Sequence, residues 1–166
     1  ISKILIPTLR FLKDKGKPYT GFLYIGLMIK KNEPFLIEYN IRMGDPECQV
    51  ILPRLKTDLL KVLFNVVTNK LKKTKISWIK NKSMTIVLCA KGYPGKHKKG
   101  MKINNLKKVL VSKNDFIYHA GTKLVNNQLL SNGGRVLNIT SVGNKFYDIR
   151  KKIIFILKKL RWKHGF

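Results

Sequence analysis

The apolar residues of the first 75 positions predict helices around one β-hairpin. Residues 3–13 have the spacing of a helix end, which a following glycine and proline then stop. The apolar runs Tyr19–Ile29 and Phe35–Ile41 enclose a short turn, an arrangement typical of a hairpin. Beyond them, large apolar residues recur at helical spacing from position 59 to position 71.

Short apolar runs separated by turn residues predict a β-rich segment after position 75. The basic stretch Lys70–Lys75 has no apolar period, so we place a domain boundary there, between residues 1–75 and 76–166. Asn126-Asn127 predicts a hairpin turn, and the apolar residues from Phe146 to Leu160 mark an amphipathic helix. The predicted strands cover residues 76–79, 84–90, 106–111, 115–119, 122–130 and 135–141. The pattern therefore predicts an α+β chain.

The second strand of the hairpin carries polar side chains on one side. Because successive side chains of a strand point to opposite faces, we expect Leu36, Glu38 and Asn40 to share a face. Asp45-Pro46-Glu47 then predicts a helix start, with the aspartate at the N-cap, the proline at the first helical position and the glutamate in the first turn.

Composition limits the class of protein. Hydrophobic residues make up 44% of the 166 positions, which is enough for a folded core and excludes a fully disordered chain. The longest apolar stretches, Phe22–Ile29 and Ile153–Leu157, are far shorter than the roughly 20 residues of a membrane span. The chain begins without Met or a signal sequence, so we expect a fragment of a longer cytoplasmic protein without a membrane partner.

The charge is strongly positive, with 35 Lys or Arg against 8 Asp or Glu and a formal net charge of +27. Such a balance favours nucleic acid as a partner, because cations that neutralise phosphates release counterions. However, only six of these residues are arginine, which is best suited to bidentate phosphate and base contacts. A generally lysine-rich composition is the simpler interpretation, and a basic nucleic-acid-binding module stays open as the alternative.

Glu38, Asn40 and Arg42 form the pattern with most chemical content. A hard cation such as Mg²⁺ binds one or two protein oxygens, while phosphates and water complete its shell. Glu38 and Asn40 could supply a carboxylate and an amide oxygen. Arg42 could stabilise a transferring phosphoryl group if the strand continues that far. From spacing alone, a solvent-facing edge strand followed by a capped helix is the plainer alternative.

Longer motifs point to one family. Glu38-x-Asn40-x-Arg42 at a strand end resembles the metal-binding strand of ATP-grasp ligases. Its extension, Arg-Met-Gly-Asp-Pro-Glu-Cys-Gln over residues 42–49, is similar to the glycinamide ribonucleotide synthetases in particular. Other stretches match the same family in the same order: Pro18–Gly21 with Leu23–Met28, Leu52–Leu59, Gly92–Gly95, His119–Lys123 and Asn132–Leu137.

The resemblance implies an architecture and a set of cofactors. Residues 1–75 would be the C-terminal part of an ATP-grasp domain, and residues 76–166 would be the small C-terminal domain of the family, truncated at its end. ATP and Mg²⁺ or Mn²⁺ would be the cofactors. By the same analogy Glu38 and Asn40 hold the metal, and Arg42 binds the nucleotide phosphates and steadies the acyl phosphate.

The substrate side is assigned to a different set of residues. Gly44, Asp45 and Glu47 lie in the matching loop and helix start, where backbone N–H groups can face an anion. Arg135 follows two glycines whose backbone freedom could place the guanidinium against a phosphate or carboxylate. A plain turn at Arg135 is an equal alternative.

The resemblance also implies an activity, the ATP-dependent joining of glycine to 5-phosphoribosylamine. The glycine carboxylate attacks the γ-phosphate, and the amine then displaces phosphate from the glycyl phosphate. The expected partners are these two small molecules and the missing N-terminal part of the same enzyme, without which the fragment should be inactive. An ATP-grasp ligase with another carboxylate substrate stays open as an alternative.

Overall fold

The chain mixes helices and strands, and the α+β expectation is confirmed. The computed structural model describes residues 1–106, 109, 112–160 and 162–166. The helices are α1 (Leu5–Asp14), α2 (Glu47–Ile51), α3 (Leu59–Val67) and α4 (Phe146–Lys159), with short 3₁₀ helices at Leu52–Arg54 and Leu71–Lys73. The strands are β1 (Tyr24–Lys30), β2 (Glu33–Asn40), β3 (Lys82–Cys89), β4 (Asp115–His119), β5 (Thr122–Val125), β6 (Gln128–Ser131) and β7 (Arg135–Gly143).

The described chain forms two compact units. The first unit contains residues 1–45 and 57–77, and the second contains residues 46–56 and 78–166. Across the described ranges, no helix combines the length and the apolar character that crossing a bilayer needs.

The first unit is built on the hairpin of β1 and β2, which pair antiparallel. Lys31 and Asn32 connect the strands with φ angles of +49° and +61°, the left-handed values that tight hairpin turns require. The predicted hairpin is therefore present. Its first strand begins at Tyr24, later than the apolar run that starts at Tyr19.

Helix α1 is attached to β2 by polar contacts. The Thr8 and Tyr39 hydroxyl oxygens lie 2.5 Å apart, and the Lys3 ammonium forms an ion pair with the Glu33 carboxylate. The helix ends just before Gly16, which has a φ of +71° and stops it as the sequence predicts.

Helix α3 begins with a side-chain cap that the apolar spacing did not indicate. The Asp58 carboxylate accepts a hydrogen bond of 2.8 Å from the Lys61 backbone N–H, which satisfies one of the free donors of the first turn. Val62 is the buried residue of α3, and Leu71 lies outside it in a 3₁₀ helix.

The second unit contains a three-stranded antiparallel sheet in the order β3-β7-β4. In the central strand, Ile139 pairs with Ile86 of β3 and Ile117 of β4. Strands β5 and β6 form a separate hairpin, and its turn at Asn126-Asn127 has φ angles of +45° and +59°, so that prediction is confirmed.

One predicted strand is not formed, and most of another lies outside the described residues. Residues 76–79 form no strand, because Trp78 makes only an isolated bridge with Leu55. Of the predicted strand 106–111, residues 107, 108, 110 and 111 lie outside the described residues.

Helix α4 covers the sheet with its apolar side. Ile149, Ile153 and Ile156 are buried and belong to the same hydrophobic cluster as Val136 and Leu137 of β7. Burying one such side chain contributes about 1.5–3 kcal/mol. The amphipathic helix predicted from the sequence is therefore present and supplies much of the core.

A buried ion pair joins α4 to the sheet. The Asp115 side chain in β4 is fully buried, and its Oδ1 lies 2.8 Å from Lys152 Nζ. The Ser141 and Ser112 hydroxyls donate hydrogen bonds of 2.6 and 3.0 Å to the same carboxylate. Burial alone would raise the pKa of Asp115, but the hydrogen bonds from Lys152, Ser141 and Ser112 and the Lys152 charge outweigh it and hold this pKa below its usual value.

Breaking this pair should destabilise the protein. We expect Asp115→Asn and Lys152→Met each to lower the free energy of unfolding by about 2 kcal/mol in urea titrations at pH 7. This is less than the roughly 3–5 kcal/mol typical of fully buried pairs, because Lys152 is partly exposed. Lys151→Met, at the exposed neighbouring position, is the matched control and should have little effect.

The Asp115–Lys152 pair should make the free energy of unfolding depend on pH under acidic conditions. Since the folded pKa of Asp115 is lowered, its contribution is complete above the unfolded pKa of about 3.9 and is lost as the pH falls through the folded value. The difference in unfolding free energy between the parent and Asp115→Asn should therefore shrink below about pH 4. A constant difference down to pH 2 would contradict this account.

Candidate active site

The pairing of β1 with β2 puts Glu38 and Asn40 on one face of the hairpin. Glu38 lies opposite Gly26, and Asn40 lies opposite Tyr24. Glu38 and Asn40 are two positions apart in β2, and their partners are two positions apart in β1. The Glu38 and Asn40 side chains therefore project from the same face. Glu38 is exposed and Asn40 is partly buried. A carboxylate and an amide oxygen are thereby available on one face of the hairpin.

The third residue expected on this face, Leu36, is on the opposite one. The register shifts after Gly26, so that Leu27 pairs with Leu36 and Ile37 is left without a partner in the ladder. Such an irregularity, typical of a β-bulge, breaks the simple alternation from which that face was predicted. The prediction for Leu36 was therefore wrong.

Gly26 is a site residue that sequence reasoning did not single out. A Cβ atom built on it would lie 3.0 Å from Glu38 Cγ and 3.6 Å from Tyr24 Cε1. The Glu38 side chain therefore lies over the glycine. The available signal was the glycine inside the motif Leu23–Met28, which becomes informative only once the strand register is known.

Arg42 lies outside the strand. Strand β2 ends at Asn40, and the condition under which Arg42 would share the face of Glu38 is not met. Arg42 is exposed, and its guanidinium donates a hydrogen bond of 3.0 Å to the Met43 carbonyl. An arginine on a bend reaches an anion by changing rotamer and is not held toward it by the strand.

The segment after the hairpin differs from the predicted helix start. Helix α2 begins at Glu47, Pro46 occupies the N-cap position, and no side chain caps the helix. The prediction of Asp45 as the N-cap was therefore wrong. Gly44 is buried, whereas Asp45 and Glu47 are half-buried. Because α2 has only five residues, its start alone does not make an anion site.

Arg135 begins β7 in the second unit and is exposed, opposite Cys89 of β3. Burial raises the pKa of the Cys89 thiol, and the positive charge of Arg135 only partly opposes this. Cys89 therefore stays a thiol near neutral pH, which disfavours it as a nucleophile.

The glycines around Arg135 serve close backbone packing. A Cβ on Gly121 would lie 2.6 Å from the Arg135 carbonyl oxygen and 2.7 Å from Gly133 Cα. A Cβ on Gly134 would lie 2.1 Å from Tyr93 Cδ2. These separations are too short for any side chain. Three of the family-like motifs thus meet at one place in the second unit, around the start of β7.

The donor atoms on the hairpin are suited to a hard divalent cation with a bound polyphosphate. Glu38 and Asn40 supply two oxygen ligands, the number that Mg²⁺ commonly takes from a protein when phosphates and water complete its shell. Over the described part of the chain, no group of three or more His, Cys, Asp or Glu could hold a metal ion by itself. The pair therefore fits a metal shared with a substrate better than a closed structural site.

Two family models match the chain. The model described as "Phosphoribosylglycinamide synthetase, C domain" matches residues 83–166. The model described as "Phosphoribosylglycinamide synthetase, ATP-grasp (A) domain" matches residues 1–48, which include the whole hairpin.

Two relatives with high sequence identity to the chain have the same name, phosphoribosylamine–glycine ligase. The chain is 39% identical to a phosphoribosylamine–glycine ligase of Agrobacterium fabrum over its full length, and 42% identical to one of Mesorhizobium japonicum over 99% of its length. It spans only 39% and 38% of those two proteins.

A solved structure of phosphoribosylamine–glycine ligase from Thermotoga maritima has a similar fold. It matches 95% of this chain and 38% of its own with a TM-score of 0.73 and 30% sequence identity. The resemblance drawn from the motifs is thereby confirmed, since phosphoribosylglycinamide and glycinamide ribonucleotide are the same compound. With one family model covering residues 83–166 and a second covering the hairpin, the chain belongs to the phosphoribosylglycinamide synthetase family.

Proposed function

We propose that this chain is part of an enzyme that joins glycine to 5-phosphoribosylamine at the expense of ATP. The observation that carries the proposal is the shared face of Glu38 and Asn40 on a hairpin within the segment that matches the ATP-grasp family model. The chain spans about 39% of the Agrobacterium relative, so the activity belongs to a longer protein of which this chain supplies one part.

Glu38 and Asn40 are the metal ligands in this proposal. Mg²⁺ or Mn²⁺, when bound, would neutralise charge on the ATP phosphates and on the group being transferred. The two side chains would hold the ion, and through it the phosphates, at the Glu38–Asn40 face of the hairpin. Because Glu38 is exposed, its carboxylate is accessible to a nucleotide without unfolding of the hairpin.

Arg42 has the role of an anion-binding side chain beside this pair. Its contact with the Met43 carbonyl is a single neutral-acceptor hydrogen bond, which a phosphate can replace with a stronger charge-assisted one. We assign Arg42 to the nucleotide phosphates and to the acyl phosphate. Gly44, Asp45, Glu47 and Arg135 are assigned to the side of glycine and phosphoribosylamine.

The reaction divides a difficult amide synthesis into two easier steps. A glycine carboxylate oxygen attacks the γ-phosphorus of ATP, and ADP leaves. The amine of phosphoribosylamine then attacks the glycyl carbonyl carbon, and phosphate leaves with the electron pair of the broken C–O bond. Phosphate is a far better leaving group than the hydroxide that direct condensation would expel. The residues of this chain bind and orient the charged groups in both steps.

The remaining part of the protein has a surface to pack against. Residues 1–75 are proposed to be the C-terminal part of the ATP-grasp domain, and residues 76–166 the C-terminal domain of the family. Large apolar side chains of the hairpin are exposed, namely Leu27, Met28, Ile29, Phe35, Leu36 and Ile37. We expect the rest of the ATP-grasp domain to cover them in a cytoplasmic enzyme.

The activity can be measured on the product of the full open reading frame. We expect ADP release that requires both glycine and phosphoribosylamine, together with formation of glycinamide ribonucleotide, detected by mass spectrometry. The 166-residue chain alone should show no turnover, because Glu38 and Asn40 cannot bind ATP productively without the other nucleotide contacts. Turnover with a different amino acid or carboxylate in place of glycine, or turnover by the isolated chain, would contradict the proposal.

Replacing the metal ligand should separate metal binding from folding. In the full-length protein, Glu38→Gln should weaken Mn²⁺ binding in the presence of ATP by about 100-fold or more, since changes to groups that merely orient ligands already cost about 10–100-fold. Glu33→Gln, on the same strand but paired with Lys3, is the matched control and should bind Mn²⁺ normally. Equal Mn²⁺ affinities for the two variants in electron paramagnetic resonance titrations would remove Glu38 from the ligand set.

A further inference from the structure

Gly26 is the residue directly opposite Glu38 in the hairpin, and the Glu38 side chain lies close to the space where a Gly26 side chain would lie. A Cβ at position 26 would be 3.0 Å from Glu38 Cγ, a separation that forces the neighbouring atom to move. The Tyr24 ring borders the same space, with Cε1 at 3.6 Å from that Cβ position. The glycine therefore leaves open a slot between Tyr24 and Glu38.

A positive φ does not explain the glycine at position 26. The glycines with positive φ in the described chain are Gly16, Gly21, Gly92 and Gly100, and Gly26 is not among them. Gly26 lies inside a paired strand, where glycine is less favourable than residues with a side chain. The register shift between Gly26 and Leu27 is a setting in which strands carry glycine, and the close approach of Glu38 Cγ adds a requirement for space at the same position.

The register shift increases the importance of this slot. Leu27 pairs with Leu36, and Ile37 has no partner, so Glu38 is the first residue of β2 after the irregularity. The chain direction is locally disturbed just before Glu38. Its side chain is then located by what faces it across the ladder, which is Gly26.

We propose that Gly26 is a positioning residue for the metal site, because its missing side chain leaves room for the Glu38 side chain on the face that it shares with Asn40. This inference rests on the proposed function of Glu38 as a metal ligand. A methyl group at position 26 displaces Glu38 Cγ by a few tenths of an ångström, and the exposed side chain beyond it moves with it. The position of its carboxylate relative to the Asn40 amide oxygen changes, and with it the fit of the two oxygens to one cation.

The test uses the full-length protein and three variants. Gly26→Ala fills the slot, and Glu38→Gln removes the proposed ligand. Met28→Ala changes the same face of β1 two positions away, opposite Phe35, and serves as the matched control. Mn²⁺ binding is measured by electron paramagnetic resonance with a non-hydrolysable ATP analogue, and unfolding is followed in urea.

The expected result is a loss of metal affinity without a loss of stability. Gly26→Ala should weaken Mn²⁺ binding about 10-fold, as changes to groups that orient a metal ligand do, while its urea midpoint stays at or above that of the parent. In the ligase assay the Mn²⁺ concentration for half-maximal rate should rise, and kcat at saturating Mn²⁺ should recover. Met28→Ala should bind Mn²⁺ like the parent.

Each other outcome overturns the inference in a recognisable way. Normal Mn²⁺ affinity of Gly26→Ala beside weakened Glu38→Gln would refute the positioning role and leave the proposed function standing. Normal affinity of Glu38→Gln would refute both. A lower urea midpoint for Gly26→Ala, or equal weakening by Met28→Ala, would show that position 26 serves the hairpin fold and not the orientation of Glu38.

Discussion

The antiparallel register of β1 and β2 is the constraint on which the candidate site depends. A strand has a side-chain period of two, so a slip of one residue would send Glu38 and Asn40 to the other face together. The turn at Lys31-Asn32 fixes the pairing at one end of the hairpin. The shift after Gly26 then changes the alternation once, and Glu38 and Asn40 both lie beyond it. Their common face is therefore preserved although Leu36 is lost from it.

Acidic residues are few in this chain, and several are held in specific contacts. Asp115 is buried against Lys152, Asp58 caps α3, and Glu33 pairs with Lys3. The first contact attaches α4 to β4, the second caps α3, and the third joins the residues just before α1 to β2. With 8 acidic residues against 35 basic ones, cations are available almost everywhere on the surface. Glu38 differs from these three residues in lying exposed on a strand face that it shares with Asn40, opposite Gly26.

The sequence predicted the elements whose signals are local. The hairpin turns, the amphipathic α4 and the stop after α1 follow from a few neighbouring residues each. The register shift at Ile37 could not be predicted, because it depends on which residues of β1 meet β2. The same holds for the sheet order β3-β7-β4 and for the Asp115–Lys152 pair, which joins residues far apart in the chain. The common face of Glu38 and Asn40 was predictable from the strand alternation, whereas the register shift that removes Leu36 from that face was not.

The glycines of the family-like motifs have two different physical roles. At Gly121 and Gly134, a side chain would collide with a carbonyl oxygen, a Cα atom or an aromatic ring at 2.7 Å or less, so the fold itself excludes any larger residue. At Gly26 the nearest atom is the Cγ of a solvent-exposed side chain at 3.0 Å, which can rotate away. A Cβ there meets the Glu38 side chain more closely than it meets the Glu38 backbone oxygen, which lies at 3.7 Å. Motif glycines can therefore be divided by what a Cβ would meet, which is either a fixed atom of the fold or a side chain that is able to move.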